Sequence, residues 1–164
     1  MMLDEATLKE AAALLDALQA RELTLATAES CTGGLIAAAL TAIPGSSATV
    51  LAGYVTYSNA AKTRLLGVTP AMLAEHGAVS EPVARQMAQG ALADSGAGIA
   101  ISCTGIAGPG GGSEAKPVGL VFIGCARRGK ETRVDRHVFP GDRTAIRAAT
   151  VAAAFGLIRS AIPE

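Results

Sequence analysis

Apolar runs of strand length alternate along this chain with longer segments whose apolar residues recur at helical spacing, and this alternation restricts the fold more than any other feature. Leu8, Ala11, Ala12, Leu15 and Leu18 predict an amphipathic helix over about residues 5–20. Residues 23–28 read as a strand, 32–41 as an Ala-rich buried helix ended by Pro44-Gly45-Ser46-Ser47, and 50–57 as a second strand. Ser58 or Asn59 caps a short helix that reaches Leu66 and stops at Gly67, and Pro70 opens another brief turn. Ser80 caps a helix with Pro82 in its first turn, continuing to about Asp94, and a buried strand over 98–102 follows. Residues 118–126 and 132–139 form two strands around Arg127-Arg128-Gly129-Lys130. Asp142 then caps a last helix whose Ile146, Ala149, Ala153, Leu157 and Ile158 face inward. Strands interleaved with helices and closed by a hairpin predict an α/β fold, three layers α/β/α around a mixed, mostly parallel central sheet. No linker and no internal repeat divides the 164 residues, so a single domain is expected over 1–164.

Charge and composition narrow the function. The 14 basic residues balance 14 acidic ones and no run gathers like charges, which argues against nucleic acid as a partner. With no Trp, three Phe and two Tyr, a stacking platform for single strands is also hard to assemble. The start, Met1-Met2-Leu3-Asp4-Glu5, is acidic where a secretory signal is basic, and no apolar run approaches the ~20 residues of a membrane span. A cytoplasmic protein with no membrane partner is expected. Cys31, Cys103 and Cys125 are odd in number and lack CxxC or zinc spacing, so free buried thiols and no metal site are expected.

The tetrad Ser-Cys-Thr-Gly occurs twice, at 30–33 and 102–105, each time after an apolar strand. If those strands are parallel neighbours, both tetrads open on the rim beyond the carboxyl ends of the sheet, where open α/β sheets bind ligands. Ser30 either caps the following helix or acts as a nucleophile near the backbone N–H groups of Gly33 and Gly34, which suit a developing oxyanion. The adjoining Cys31 is a rival nucleophile. A hydroxyl nucleophile needs a base, and the histidines prompt a triad only weakly, since His137 falls in a strand and His76 precedes Gly77 in a loop. Lys62 follows Tyr57-Ser58-Asn59 in the first turn of a short helix. A free lysine titrates near ~10.4 and is almost wholly charged at pH 7, so service as a base requires burial or the helix amino end to depress its pKa, at about 4 kcal/mol. Otherwise Lys62 is an ordinary surface lysine. The Gly- and Pro-rich segment 105–117 matches neither G-x-G-x-x-G nor the Walker pattern. It is either a flexible loop or one that brings backbone groups of Gly105 and Gly108 to a phosphate or ribose. Arg143, in Gly141-Asp142-Arg143, either clamps an anion or pairs with Asp142 or a Glu.

Taken together, Thr27-Ala28-Glu29-Ser30-Cys31-Thr32-Gly33-Gly34, Val55-Thr56-Tyr57-Ser58-Asn59 with Lys62, His76-Gly77-Ala78-Val79-Ser80-Glu81, Thr104-Gly105-Ile106-Ala107-Gly108-Pro109, Lys116-Pro117-Val118-Gly119 and Gly141-Asp142-Arg143 carry a resemblance. They closely resemble the nicotinamide-nucleotide amidohydrolases, the family of the C-terminal domain of the competence and damage-inducible protein CinA. The resemblance spans nearly the whole chain. It implies deamidation of nicotinamide mononucleotide to nicotinate mononucleotide and ammonia, in pyridine nucleotide recycling, with no metal or other cofactor. It further implies Ser30 and Lys62 as a catalytic pair, Tyr57 as a third catalytic position, and Thr104 and Arg143 as substrate contacts. Gly110 stands where Asp is frequent in the family. A non-catalytic nucleotide-binding or regulatory module is the alternative, and homo-oligomerisation is left open.

Overall fold

Alternation of large and small side chains along the central strands decides what packs on each face of the sheet. The computed structural model describes residues 3–164, so Met1 and Met2, part of the expected non-secretory start, lie outside the described residues. In chain order the elements are α1 (Glu5–Gln19), β1 (Leu25–Glu29), α2 (Leu35–Thr41), β2 (Val50–Val55), α3 (Asn59–Leu66), α4 (Pro70–His76), α5 (Glu81–Ser95), β3 (Ile99–Gly105), β4 (Leu120–Arg127), β5 (Arg133–Val138) and α6 (Arg143–Ala161). The strands lie in the order β2-β1-β3-β4-β5. β1 is parallel to both β2 and β3, while β4 is antiparallel to β3 and β5, so β4 alone runs against the other strands.

Leu25, Ile99, Ile101 and Ile123 enter one face, where they meet α1, α2 and α6 through Leu14, Ile36 and Phe155. Each such fully buried aliphatic or aromatic side chain contributes about 1.5–3 kcal/mol. The opposite face carries Ala26, Ala28 and Ala100 against Val83, Met87 and Ala91 of α5. Small residues there admit α5 closely: Ser102 Oγ donates to Ala84 O at 2.6 Å, and a Cβ on Gly124 would lie 2.8 Å from that same oxygen. Helix α3 is drawn in by the same device, because a Cβ on Gly90 of α5 would fall 1.8 Å from Leu66 O. The mixed sheet with helices on both faces is the three-layer architecture expected from the sequence.

Three boundaries differ from expectation. Helix α2 starts at Leu35 and not near Thr32, because Gly33 (φ 59°) and Gly34 (φ 102°) turn the chain through the left-handed region that favours glycine. Strand β3 continues to Gly105, since Thr104 and Gly105 still pair with Phe122 and Val121 of β4. Residues 70–76 form a helix and not a brief turn, capped by Thr69 Oγ1, which accepts from Met72 N at 3.2 Å. Among the described residues no helix is long and apolar enough to cross a membrane.

Candidate active site

Ser30 sits one residue beyond β1, where the ladder continues on both sides. Thr56 N donates to Glu29 O at 2.9 Å and Ser30 N donates to Cys103 O at 3.1 Å, which fixes the serine between the carboxyl ends of β2 and β3. Strand alternation sends neighbouring side chains to opposite faces. Glu29 accordingly meets α2, and Ser30 meets α3. The two Ser-Cys-Thr-Gly tetrads share the rim but not the register. Ala28 pairs with Ser102 and Glu29 with Cys103, so Ser30 falls beside Thr104 while Ser102 lies deeper, under α5.

Lys62 is 1% exposed, and its Nζ lies 3.0 Å from Ser30 Oγ and donates to Thr56 O at 2.7 Å. Local structure holds it there. Ser58 Oγ caps α3 by accepting from Ala61 N at 3.1 Å, and Gly67 (φ 70°) turns the chain so that Val68 N returns to Lys62 O at 3.2 Å. Among the described residues no carboxylate pairs with the amine. Burial pushes its pKa below the ordinary lysine value, opposed only by whatever thiolate forms at Cys31 or Cys103. Contact with Cys103 and burial raise the Cys31 thiol well above its ordinary range, while the same contact with Cys31 lowers Cys103, so any thiolate of the pair resides on Cys103. In its charged form the amine donates to both Ser30 Oγ and Thr56 O; once neutral, it keeps an N–H for Thr56 O and has a lone pair able to accept the seryl proton. A hydroxyl and a buried amine at this distance are able to exchange a proton.

A cavity of about 240 Å³ opens over the pair, lined by Ser30, Cys31, Tyr57, Lys62, Thr104 and Arg143 among others. Arg143 spans its mouth, with Nη1 donating to Gly108 O at 2.8 Å and Nη2 to Tyr57 Oη at 3.0 Å. No carboxylate neutralises it among the described residues, since Asp142 is occupied as the α6 cap, accepting from Ala145 N at 2.9 Å. Tyr57, 62% exposed, is bonded to Arg143 and has no hydrogen bond to Ser30 or Lys62 among the described residues. Thr104 donates to Ala78 O at 2.8 Å, and Gly105 lines the cavity beside it. Gly33, Gly34 and Gly108 do not line it; Gly108 takes part through its carbonyl on Arg143. The Gly33 N–H, expected to face an oxyanion, donates to Ser30 O at 3.0 Å instead.

Over residues 7–162 the sequence matches the CinA C-terminal domain. The chain belongs to that family. A CinA-like protein of Chlorobaculum tepidum is 56% identical over 143 residues, 85% of this chain and 33% of the relative. One from Mycobacterium marinum is 55% identical over 141 residues, with 85% and 33% covered. The chain therefore spans about a third of the length of the curated relatives it matches. Among solved structures, the competence/damage inducible protein CihA from Agrobacterium tumefaciens superposes with a TM-score of 0.93 at 46% identity, covering 96% of each chain. The competence damage-inducible protein A (ComA) of Klebsiella pneumoniae gives a TM-score of 0.90 at 42% identity, covering 94% of this chain and 95% of its own.

Two charged residues of this CinA-type domain that sequence reasoning did not single out build the turn under Ser30. Glu29 is fully buried, and its carboxylate accepts from Thr32 Oγ1 at 2.6 Å, Ile36 N at 2.8 Å and Ala37 N at 3.0 Å. It, and not Ser30, caps α2. Arg147 grips the same turn from α6, with Nε donating to Cys31 O at 3.1 Å and Nη2 to Thr32 O at 3.0 Å. The available signal was spacing, because Arg143 and Arg147 lie one helical turn apart on one side of α6.

Proposed function

We propose that this CinA-type domain hydrolyses the carboxamide of nicotinamide mononucleotide to nicotinate mononucleotide and ammonia, with Ser30 as nucleophile and Lys62 as general base. The 3.0 Å contact between Ser30 Oγ and a buried lysine Nζ that no carboxylate neutralises among the described residues carries this reading, and the family resemblance supplies the substrate. Lys62 takes the seryl proton as Oγ attacks the carboxamide carbon. It then returns that proton to the departing nitrogen, ammonia leaves, and a water activated by the same amine cleaves the acyl-enzyme. Ammonia release from nicotinamide mononucleotide is the direct test. A non-catalytic nucleotide-binding module gives none.

In this reading Arg143, held by Tyr57 and Gly108, receives the phosphate end of the substrate, so that binding far from the amide positions the carbonyl. Arg143→Ala is expected to raise KM for the mononucleotide about tenfold or more, from loss of a charge-assisted contact. Hydrolysis of the phosphate-free riboside should change little. Equal losses on both substrates would remove Arg143 from phosphate binding.

Cys31 borders the cavity, yet its raised pKa leaves it a protonated thiol and a poor nucleophile. Cys31→Ala should retain at least about half of the parent kcat. Loss of activity in that variant, together with substrate protection of Cys31 from iodoacetamide in the parent, would transfer the nucleophile to the thiol.

A further inference from the structure

Glu29 is a buried carboxylate with no cation paired to it among the described residues. All three of its hydrogen bonds come from neutral donors, Thr32 Oγ1 and the amides of Ile36 and Ala37, and no ion pair reaches it among the described residues. Burying a charge in this way is costly unless its donors are good, and hydrogen bonds to a charged acceptor are roughly twice as strong as neutral ones. Its place in the chain gives that cost a role. Residue 29 is the last of β1, and residue 30 is the seryl position that Lys62 faces. Between Ser30 and α2 the chain passes two glycines at positive φ, and the turn they make is held by Arg147 on the carbonyls of Cys31 and Thr32 and by Glu29 on Thr32 and the first amides of α2.

We propose that Glu29 is a positioning residue for Ser30: its carboxylate ties the 30–34 turn and the amino end of α2 to the last residue of β1, and so holds the seryl hydroxyl against Lys62. The inference rests on the Ser30–Lys62 reading and assigns Glu29 no contact with substrate. Thr32 extends the tie, since its hydroxyl donates to Glu29 and also lies 3.0 Å from Cys103 Sγ on β3. By the same bonds the amino end of α2 is filled by the chain's own carboxylate and offers nothing to a ligand anion.

The test is Glu29→Gln in the full chain, followed by a Ser-directed sulfonyl fluoride as well as by turnover. Glutamine keeps the shape but turns an NH₂ group toward one of the three donors. With the fold intact by circular dichroism, kcat and the rate of Ser30 labelling per folded molecule should each fall about tenfold or more, while KM stays within about threefold, the pattern of a misaligned nucleophile. A merely structural role lowers the melting temperature and leaves labelling per folded molecule unchanged, and that result would overturn the proposal. If Glu29→Gln fails to fold, Thr32→Val removes one of the three bonds to Glu29, together with the contact to Cys103 Sγ, and leaves the carboxylate its two amides. It should slow labelling severalfold with KM unchanged, and labelling at the parent rate in that variant overturns the proposal as well. Ser30→Ala keeps the two readings apart: turnover that survives in Ser30→Ala rejects the Ser30–Lys62 pair itself, whatever Glu29 does.

Discussion

Ser30→Ala is expected to reduce ammonia release from nicotinamide mononucleotide by about a thousandfold or more while nucleotide binding remains measurable. Removing the hydroxyl deletes the atom that forms the acyl bond, and nucleophile removal in serine hydrolases costs rates on that scale. The substitution disturbs little else, since Ser30 Oγ caps no helix and its hydrogen-bond partner is Lys62. Binding is therefore expected to persist through Arg143 and the cavity walls. More than a few percent of the parent rate in the folded variant would place the nucleophile elsewhere.

Lys62→Met should remove turnover by about two to four orders of magnitude, the range for a lost general base. It also makes a prediction about pH that activity alone does not. In the parent, kcat/KM should climb with pH along a limb set by Lys62, at a value below the ordinary 10.5, because only the neutral amine accepts the proton. Stability shares the same origin. Between the lowered native value and 10.5, the unfolded chain holds a proton that the folded chain lacks, so folding stability rises with pH across that window. The contribution is fully present above 10.5 and is lost as pH falls through the native value, below which the charged amine penalises the fold at a constant level. Urea unfolding at a series of pH values measures it. Lys62→Met should lack the slope, and superimposable pH–stability curves for the two proteins would mean that the buried amine is not depressed.

The layers were legible in the sequence because apolar runs of strand length alternate with segments of helical spacing, and because Ser58, Ser80 and Asp142 are caps that the structure uses as such. Helix α2 was the harder case. An apolar, Ala-rich run from Thr32 suggests an early start, but two left-handed glycines delay the first turn, and its cap arrives from a glutamate before the serine, a separation no capping rule covers. Ser30 and Lys62 were readable as types and positions, and their pairing only through the family resemblance, since residue spacing alone carries no record of how closely α3 packs, which Gly90 permits by letting α5 approach Leu66. Glu29 and Arg147 stayed hidden because their partners are mainly backbone groups of residues 31–37, and a list of side chains carries no record of which carbonyls and amides fall nearby.

Odd and even positions at the end of β1 do different jobs, and this makes the strand intolerant of altered length. Inserting or deleting one residue ahead of Glu29 would rotate the acid toward the amine and the hydroxyl toward α2. A carboxylate beside Lys62 would form an ion pair, keep the lysine charged and silence it as a base, while the serine became an ordinary helix cap. A chain altered in this way would retain its composition and most of its core, and its reactive centre would be inert.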